Sequence, residues 1–271
     1  MIPQNLHTHT VFDDGTATVM AMAQAALDAG LKSLGFSGHS TLPYRDNWEM
    51  KPGQMPAYLA AVAEAKEAFR GRLAIYSGLE LDSVSELPEE PLDYVIGSIH
   101  HIIKDGQYLS IDYKPAVSRD ILDTHFHGDK NAMAEAYFAQ YEAIAKNPRV
   151  DIVGHFDLLS KFDEVSDLFD SGSPVYRNAA MAAMETLLAA DKIFEVNTGA
   201  MSRGYRTLPY PSKFLLRELH ARGGRVLVTS DSHATNTLTH AFDTVEDLLI
   251  SVGFKEIWVL GNTGFEPWKI G

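Results

Sequence analysis

The chain of 271 residues is long enough to bury a large core, and its 45% hydrophobic and 22% charged content is ordinary for a soluble domain, which excludes a disordered or membrane-embedded class. A net charge of −13, from 23 basic and 36 acidic residues with no basic stripe, argues against a nucleic-acid partner. The sequence has no cysteine, so disulfides, thiolate metal sites and a cysteine nucleophile are excluded, and any metal must be held by nitrogen and oxygen.

The chain opens on MIPQNLHTHT, which has neither the basic nor the apolar region of a secretion signal. No later apolar run reaches the roughly 18 residues a membrane span requires, so no membrane partner is expected and the cytoplasm is the expected location. Residues 5–9 read as a buried strand and 18–29 as a helix with apolar residues at helical spacing. The alternation continues with strand 33–37, helix 56–70 and strand 73–81. Residues 82–93, with Pro88 and Pro91, are too few for a crossover helix before the strand at 94–99. Residues 104–131 read as a long insertion without clear period, of the kind that carries function. Helix 132–146, strand 151–154, helix 175–190, strand 193–197, helix 211–221, strand 225–230 and helix 239–252 follow, and 256–260 adds an eighth apolar run. Such alternation predicts one domain over 1–271, with helices outside a parallel sheet that is either closed as a barrel or open and doubly wound.

Chemistry-bearing residues recur at one end of these strands. His7 and His9 stand at i and i+2, where a strand turns both side chains to one face and lets them share a metal. Asp13 and Asp14 follow before the first helix, and either carboxylate could ligate or cap that helix. His39, Glu80, His100, His155 and the pair Asp231 and His233 each end a later apolar run, where barrels build their sites. Any one of these histidines alone reads most simply as a satisfied structural residue. Burying six imidazoles and three carboxylates together is costly, however, whereas divalent cations satisfy all of them at once. His101 follows His100 and could turn inward as a proton donor. His125 and His127 repeat the spacing inside the insertion and read as surface-loop residues, with lining of the substrate entrance as the lesser alternative, while His220 and His240 read as helix-surface residues.

The pieces LHTHT, GFSGHS, YSGLELD, YVIGSIHHI, IVGHFDLL, FEVNTG and VTSDSH, spread over nearly the whole chain, resemble the polymerase and histidinol phosphatase (PHP) family of metal hydrolases. GSIHHI, GHFDLLSKF and NTG followed by YPS resemble its histidinol-phosphate phosphatase branch, which also carries a long insertion after GSIHHI. The resemblance implies a distorted (β/α)7 TIM-like barrel with three divalent metals: His7, His9, Glu80 and Asp231 on the first, Glu80, His100 and His155 on the second, and Asp14, His39 and His233 on the third. Gly38 stands where an acid is common in the family, and Asp14 where some relatives place a histidine.

In that reading a hydroxide bridging the first two metals attacks phosphorus in line, with Glu80 as the bridging ligand. Arg203 or Lys161 is the candidate cation for the phosphate oxygens, against the alternative of solvated surface charges, and Arg119 is a weaker candidate. The leaving alkoxide draws its proton from His101 or a metal-bound water. The resemblance points to L-histidinol phosphate and inorganic phosphate as partners, and to histidine biosynthesis. Two alternatives stand beside it: a phosphoesterase for another small phosphate ester or nucleotide, and a non-catalytic metal-binding accessory module. Zinc, manganese and iron all suit histidine and carboxylate ligands.

Overall fold

The computed structural model describes residues 1–44 and 46–271. Its first half comprises β1 (Gln4–Asn5), α1 (Val19–Asp28), β2 (Ser33–Phe36), α2 (Met55–Ala68), β3 (Ala74–Asp82), β4 (Tyr94–Ser98), β5 (His101–Lys104) and β6 (Gln107–Ser110). The helices α3 (Pro115–Phe126), α4 (Lys130–Ala139) and α5 (Tyr141–Lys146) come next, then β7 (Ile152–Val153), α6 (Pro174–Ala189) and β8 (Ile193–Asn197). The chain finishes with α7 (Gly199–Ser202), α8 (Lys213–Ala221), β9 (Arg225–Thr229), α9 (Phe242–Val252), β10 (Glu256–Gly261) and β11 (Gly264–Lys269).

Seven strands make a parallel sheet in the order β1-β2-β3-β4-β7-β8-β9. A parallel bridge between Thr8 and Ser232 returns the last strand to the first: His9 N–H donates to Ser232 O at 2.9 Å and Ser232 N–H to His7 O at 3.3 Å. The result is a nearly closed, seven-stranded α/β barrel. It is distorted where expected, since residues 83–93 join β3 to β4 without a helix. Among the described residues no helix is long and apolar enough to cross a membrane.

The barrel interior is layered. Leu6, Tyr94, Ile96, Ile152, Ile193 and Leu227 fill its lower half, and the Tyr94 hydroxyl donates to Leu6 O. Tyr94 fits because β2 and β3 carry glycine beside it: a Cβ on Gly35 would stand 2.3 Å from the Tyr94 hydroxyl, and one on Gly78 2.3 Å from its Cζ. The eighth apolar run does not enter the barrel. It is β10, paired antiparallel with β11, and its Leu260 closes the lower end, held by Gln4, whose side chain donates to Leu260 O at 2.9 Å and accepts from Leu260 N at 2.8 Å.

The expectation of an aperiodic insertion over 104–131 is corrected. The segment holds β6, which pairs antiparallel with β5 just before it, and helix α3, whose buried face of Ser118, Ile121, Leu122 and Phe126 is short and includes a serine. The helix foreseen at 132–146 is two helices divided at Gln140, whose side chain leaves the helix to donate to His101 O at 3.0 Å and to accept from Ile103 N at 3.2 Å.

Candidate metal centre

The strands raise all nine predicted residues to the C-terminal mouth of the barrel. His7 and His9 extend β1 with the alternation of a strand, so both rings point inward, while Thr8 between them turns away to donate to Gly35 O at 2.8 Å. Glu80 lies on β3 and is 1% exposed, and His39 bridges to it in parallel register from the end of β2. Asp231, just past β9, takes a left-handed φ of 48°, a conformation costly to most side chains and tolerated by aspartate.

Glu80 is two-sided. Its Oε1 lies 2.9 Å from His155 Nε2 and 3.3 Å from His100 Nε2, and its Oε2 lies 3.1 Å from His7 Nε2, 3.6 Å from His9 Nε2 and 2.9 Å from His39 Nδ1. Asp231 Oδ1 stands 3.2 Å from His9 Nε2 and 3.8 Å from His7 Nε2. Asp14 Oδ1 faces His233 Nε2 at 3.1 Å and His39 Nε2 at 3.7 Å. Among the described residues, three sets have ligand atoms mutually within 4.8 Å: His9, Asp14, His39 and His233; His7, His9 and Glu80; and His39, Glu80 and His100. Ligands 2.0–2.1 Å from a tetrahedral cation sit roughly 3.3 Å from one another, which is the spacing here. Moreover, His7 Nε2 and His9 Nε2 are buried without a formed hydrogen bond. Two orphaned nitrogens aimed at carboxylates fit a cation better than a packed polar core.

Electrostatics point the same way. Burial opposes ionisation of Glu80, but the His7, His39 and His100 imidazoles outweigh it and hold the carboxyl well below its usual range. Asp231 is likewise held low, against its burial, by Arg203 and His7. Burial would lower the imidazoles, yet Glu195 and Glu80 lift His7, and Asp13 lifts His9 to about 10. The carboxylates thus demand positive charge, which protons or cations can supply.

A second ring of carboxylates, of which the sequence had singled out only Asp13, as a ligand or helix cap, orients the imidazoles. His7 Nδ1 donates to Glu195 at 2.5 Å, His9 Nδ1 to Asp13 at 2.6 Å and His100 Nδ1 to Asp82 at 2.9 Å. Each bond leaves Nε2 as the inward-facing lone pair, the arrangement that prepares histidine for a metal. Glu195 also accepts the backbone N–H of His155 at 2.7 Å. A signal for it existed: an acid between Phe194 and Val196, in the middle of a buried strand, requires a partner. Helix capping explains neither Asp13 nor Asp14, because Thr18 caps α1 by accepting from Ala21 N. The missing acid at Gly38 is also made good, since Asp13 lies beside Gly38 and accepts His39 N–H at 3.0 Å.

Above the cluster opens a cavity of about 430 Å³. Arg203 and Lys161 line it and are not the free surface charges of the alternative reading. The Arg203 guanidinium donates to Asp231 Oδ2 at 2.9 Å and to Asp231 O at 3.2 Å, an approach that needs Gly199, where a Cβ would lie 2.7 Å from both side chains. Lys161 Nζ donates to Asp112 O at 2.7 Å and Oδ2 at 3.2 Å, leaving one of its three protons for a ligand. Asp46 and Trp48, from the β2–α2 connection, and Asp112 and Tyr113, after β6, form the outer wall.

His101 does not reach the cavity: it is fully buried behind Trp48, so the expectation that it donates a proton directly to a leaving group is not met. Arg119 lies away from the site and donates to Asp167 O. His125 and His127 sit at the C-terminal end of α3 beside a separate surface depression. His220 packs against Phe254, and His240 is exposed.

A parallel α/β barrel with a histidine–carboxylate cluster at its C-terminal mouth is a metal-site barrel. The chain belongs to the PHP domain family, whose model matches residues 5–199. A Deinococcus radiodurans protein named "Probable histidinol-phosphatase" is 30% identical over 254 residues, spanning 89% of this chain and 91% of its own. The Bacillus subtilis histidinol-phosphatase is 25% identical over 260 residues, spanning 88% of this chain and 96% of its own. In fold, the chain is similar to the crystal structure of histidinol phosphate phosphatase from Lactococcus lactis, solved with zinc, L-histidinol and phosphate. The TM-score is 0.77 at 18% identity, over 97% of this chain and 98% of that one.

Proposed function

We propose that this chain is a metal-dependent histidinol-phosphate phosphatase, converting L-histidinol phosphate and water to L-histidinol and inorganic phosphate in histidine biosynthesis, in the cytoplasm. The observation that carries the chemistry is the two-sided Glu80, with imidazoles facing each oxygen under a cavity that also holds Arg203 and Lys161. The named relatives in Deinococcus and Bacillus support the substrate.

In this reading three divalent cations are held by the whole predicted ligand set. His7, His9, Glu80 and Asp231 hold the first, Glu80, His100 and His155 the second, and Asp14, His39 and His233 the third. Mutually close ligand atoms support the core of the first set, His7, His9 and Glu80, and the whole third set, which His9 also adjoins; His39 stands between Glu80 and Asp14 and so neighbours both the second and the third sets. Zinc is favoured by the neighbouring Lactococcus complex, and manganese and iron remain within the chemistry of the donors. Bound cations supply Lewis acidity and make water acidic enough to ionise near neutral pH.

The residues of the chain do the rest. Arg203 and Lys161 orient the phosphate and balance its charge as the P–O bond to the alkoxide breaks. Asp112, held at about 2 against its burial by Lys161 and His100, stays anionic at the outer wall. Together with Asp46 it suits a leaving group bearing an ammonium and an imidazole.

Phosphate release from histidinol phosphate, measured before and after chelation and with zinc, manganese or iron restored, tests the proposal. Metal-restored turnover of histidinol phosphate well above that of nucleotides and other small esters is expected. No turnover with any metal would overturn the reading.

A further inference from the structure

We propose that His101 is a positioning residue, tying the β2–α2 connection across the mouth of the cavity and thereby setting how the leaving group is held. The phosphatase reading enters only in what occupies the cavity.

His101 is fully buried at the start of β5 and is contacted from both directions. Its Nδ1 lies 3.4 Å from Asp82 Oδ2, the oxygen that also takes the His100 Nδ1 proton at 2.9 Å. Its Nε2 lies 3.5 Å from Asp46 Oδ2, with no formed hydrogen bond. The ring lies parallel to Trp48, with centroids 5.9 Å apart and planes at 12°, and Tyr44 packs its edge at 5.4 Å. Tyr44, Asp46 and Trp48 all belong to the β2–α2 connection, whose described residues form no helix or strand, so few backbone bonds hold it. Trp48 in turn covers His39 at 4.5 Å and His100 at 5.2 Å.

One imidazole thus joins the carboxylate that braces His100 to three side chains of the segment walling the cavity. Asp46 and Trp48 line the cavity and His101 does not. Removing it should loosen binding of the leaving group rather than withhold a proton from it.

The test uses full-length His101→Phe, which keeps an aromatic face and deletes both polar contacts, and His101→Asn. Each is assayed on histidinol phosphate and on p-nitrophenyl phosphate, whose leaving group needs no proton donor. The expected result is a KM for histidinol phosphate about tenfold higher with kcat within about threefold, unchanged metal content, and Trp48 more open to acrylamide quenching. The quenching is read as the difference from the matching Trp48→Phe protein. A loss in kcat of about a hundredfold on histidinol phosphate alone, with p-nitrophenyl phosphate spared, would make His101 a proton donor and overturn the proposal. Unchanged KM with unchanged quenching would overturn it as well. If neither His101 variant folds, Tyr44→Leu removes the ring packed on His101 outside the cavity lining and must raise KM without lowering kcat; an unchanged KM then overturns it. If the wild-type protein hydrolyses no phosphomonoester, the phosphatase reading fails while the quenching comparison still decides the tether.

Discussion

Asp13 and Asp14 are neighbours in the chain and turn to different partners. Asp13 Oδ2 lies 2.6 Å from His9 Nδ1, on the outer side of that ring, whereas Asp14 Oδ1 lies 3.1 Å from His233 Nε2. The Asp13 side chain is fully buried and that of Asp14 is 33% exposed. One braces an imidazole from behind, and the other stands in the outermost of the three ligand groups.

Their variants should separate. Asp14→Ala is expected to remove about one equivalent of bound metal, while Asp13→Asn keeps the full complement and weakens affinity by about 10–100-fold, the usual effect of losing a partner behind a ligand. Metal analysis after dialysis against graded chelator reads both. Equal metal loss in the two would sink the distinction.

Glu80→Gln should be the most damaging single substitution at the site, because Glu80 faces five imidazoles and a neutral amide compensates none of their charge. Phosphate release should fall by at least about a thousandfold, with circular dichroism unchanged. Wild-type-like rates would remove Glu80 from the centre of the mechanism.

Arg203→Met and Lys161→Met should act on phosphate binding. Each is expected to lower kcat/KM by about 10²–10³ and to weaken inhibition by inorganic phosphate. The Arg203 substitution carries the greater cost, because it also leaves Asp231 Oδ2 without the donor at 2.9 Å.

Chelation should reverse the dependence of stability on pH. In the metal-free chain His9 is raised from 6.5 to about 10, so its stabilising protonation is complete below pH 6.5 and is lost as pH climbs toward 10. The lowered Glu80 and Asp231 give the opposite dependence only in the acid range, where their stabilisation fades as pH falls below the ordinary carboxylate values. Metal-loaded protein needs those imidazoles deprotonated and gains as pH rises. The difference in Tm between loaded and chelated protein should therefore widen from pH 6 to pH 9, as thermal melts in matched buffers would read.

Gly78→Ala tests the barrel rather than the site. A Cβ there would lie 2.3 Å from Tyr94 Cζ, and the ring is held in place by its hydroxyl, which donates to Leu6 O. A loss of about 1–3 kcal/mol or more in denaturant unfolding is expected.

The alternation of apolar runs and helical spacing was sufficient to place the seven barrel strands, because each strand is buried on both faces and reads as a continuous apolar stretch. The histidine–carboxylate cluster was legible for a related reason. His7, His39, Glu80, His100, His155 and Asp231 stand at or beside the end of such a run, where any polar residue is conspicuous. The carboxylates behind them were not. Asp82 contacts His100 from 18 residues away, and Glu195 contacts His7 from 188 residues away, so nothing in their local sequence names the partner. The role of the eighth apolar run was equally hidden, since hydrophobicity says that β10 is buried and only register says that it plugs the lower end of the barrel. Sequence by itself determined which residues are candidates for the chemistry and at which end of the strands they stand. Tertiary structure decided which oxygen of Glu80 meets which imidazole, which of Asp13 and Asp14 faces inward, and that His101 lies behind the cavity wall. Those are relations between strands brought together by barrel closure, and no spacing along one chain encodes a distance across it.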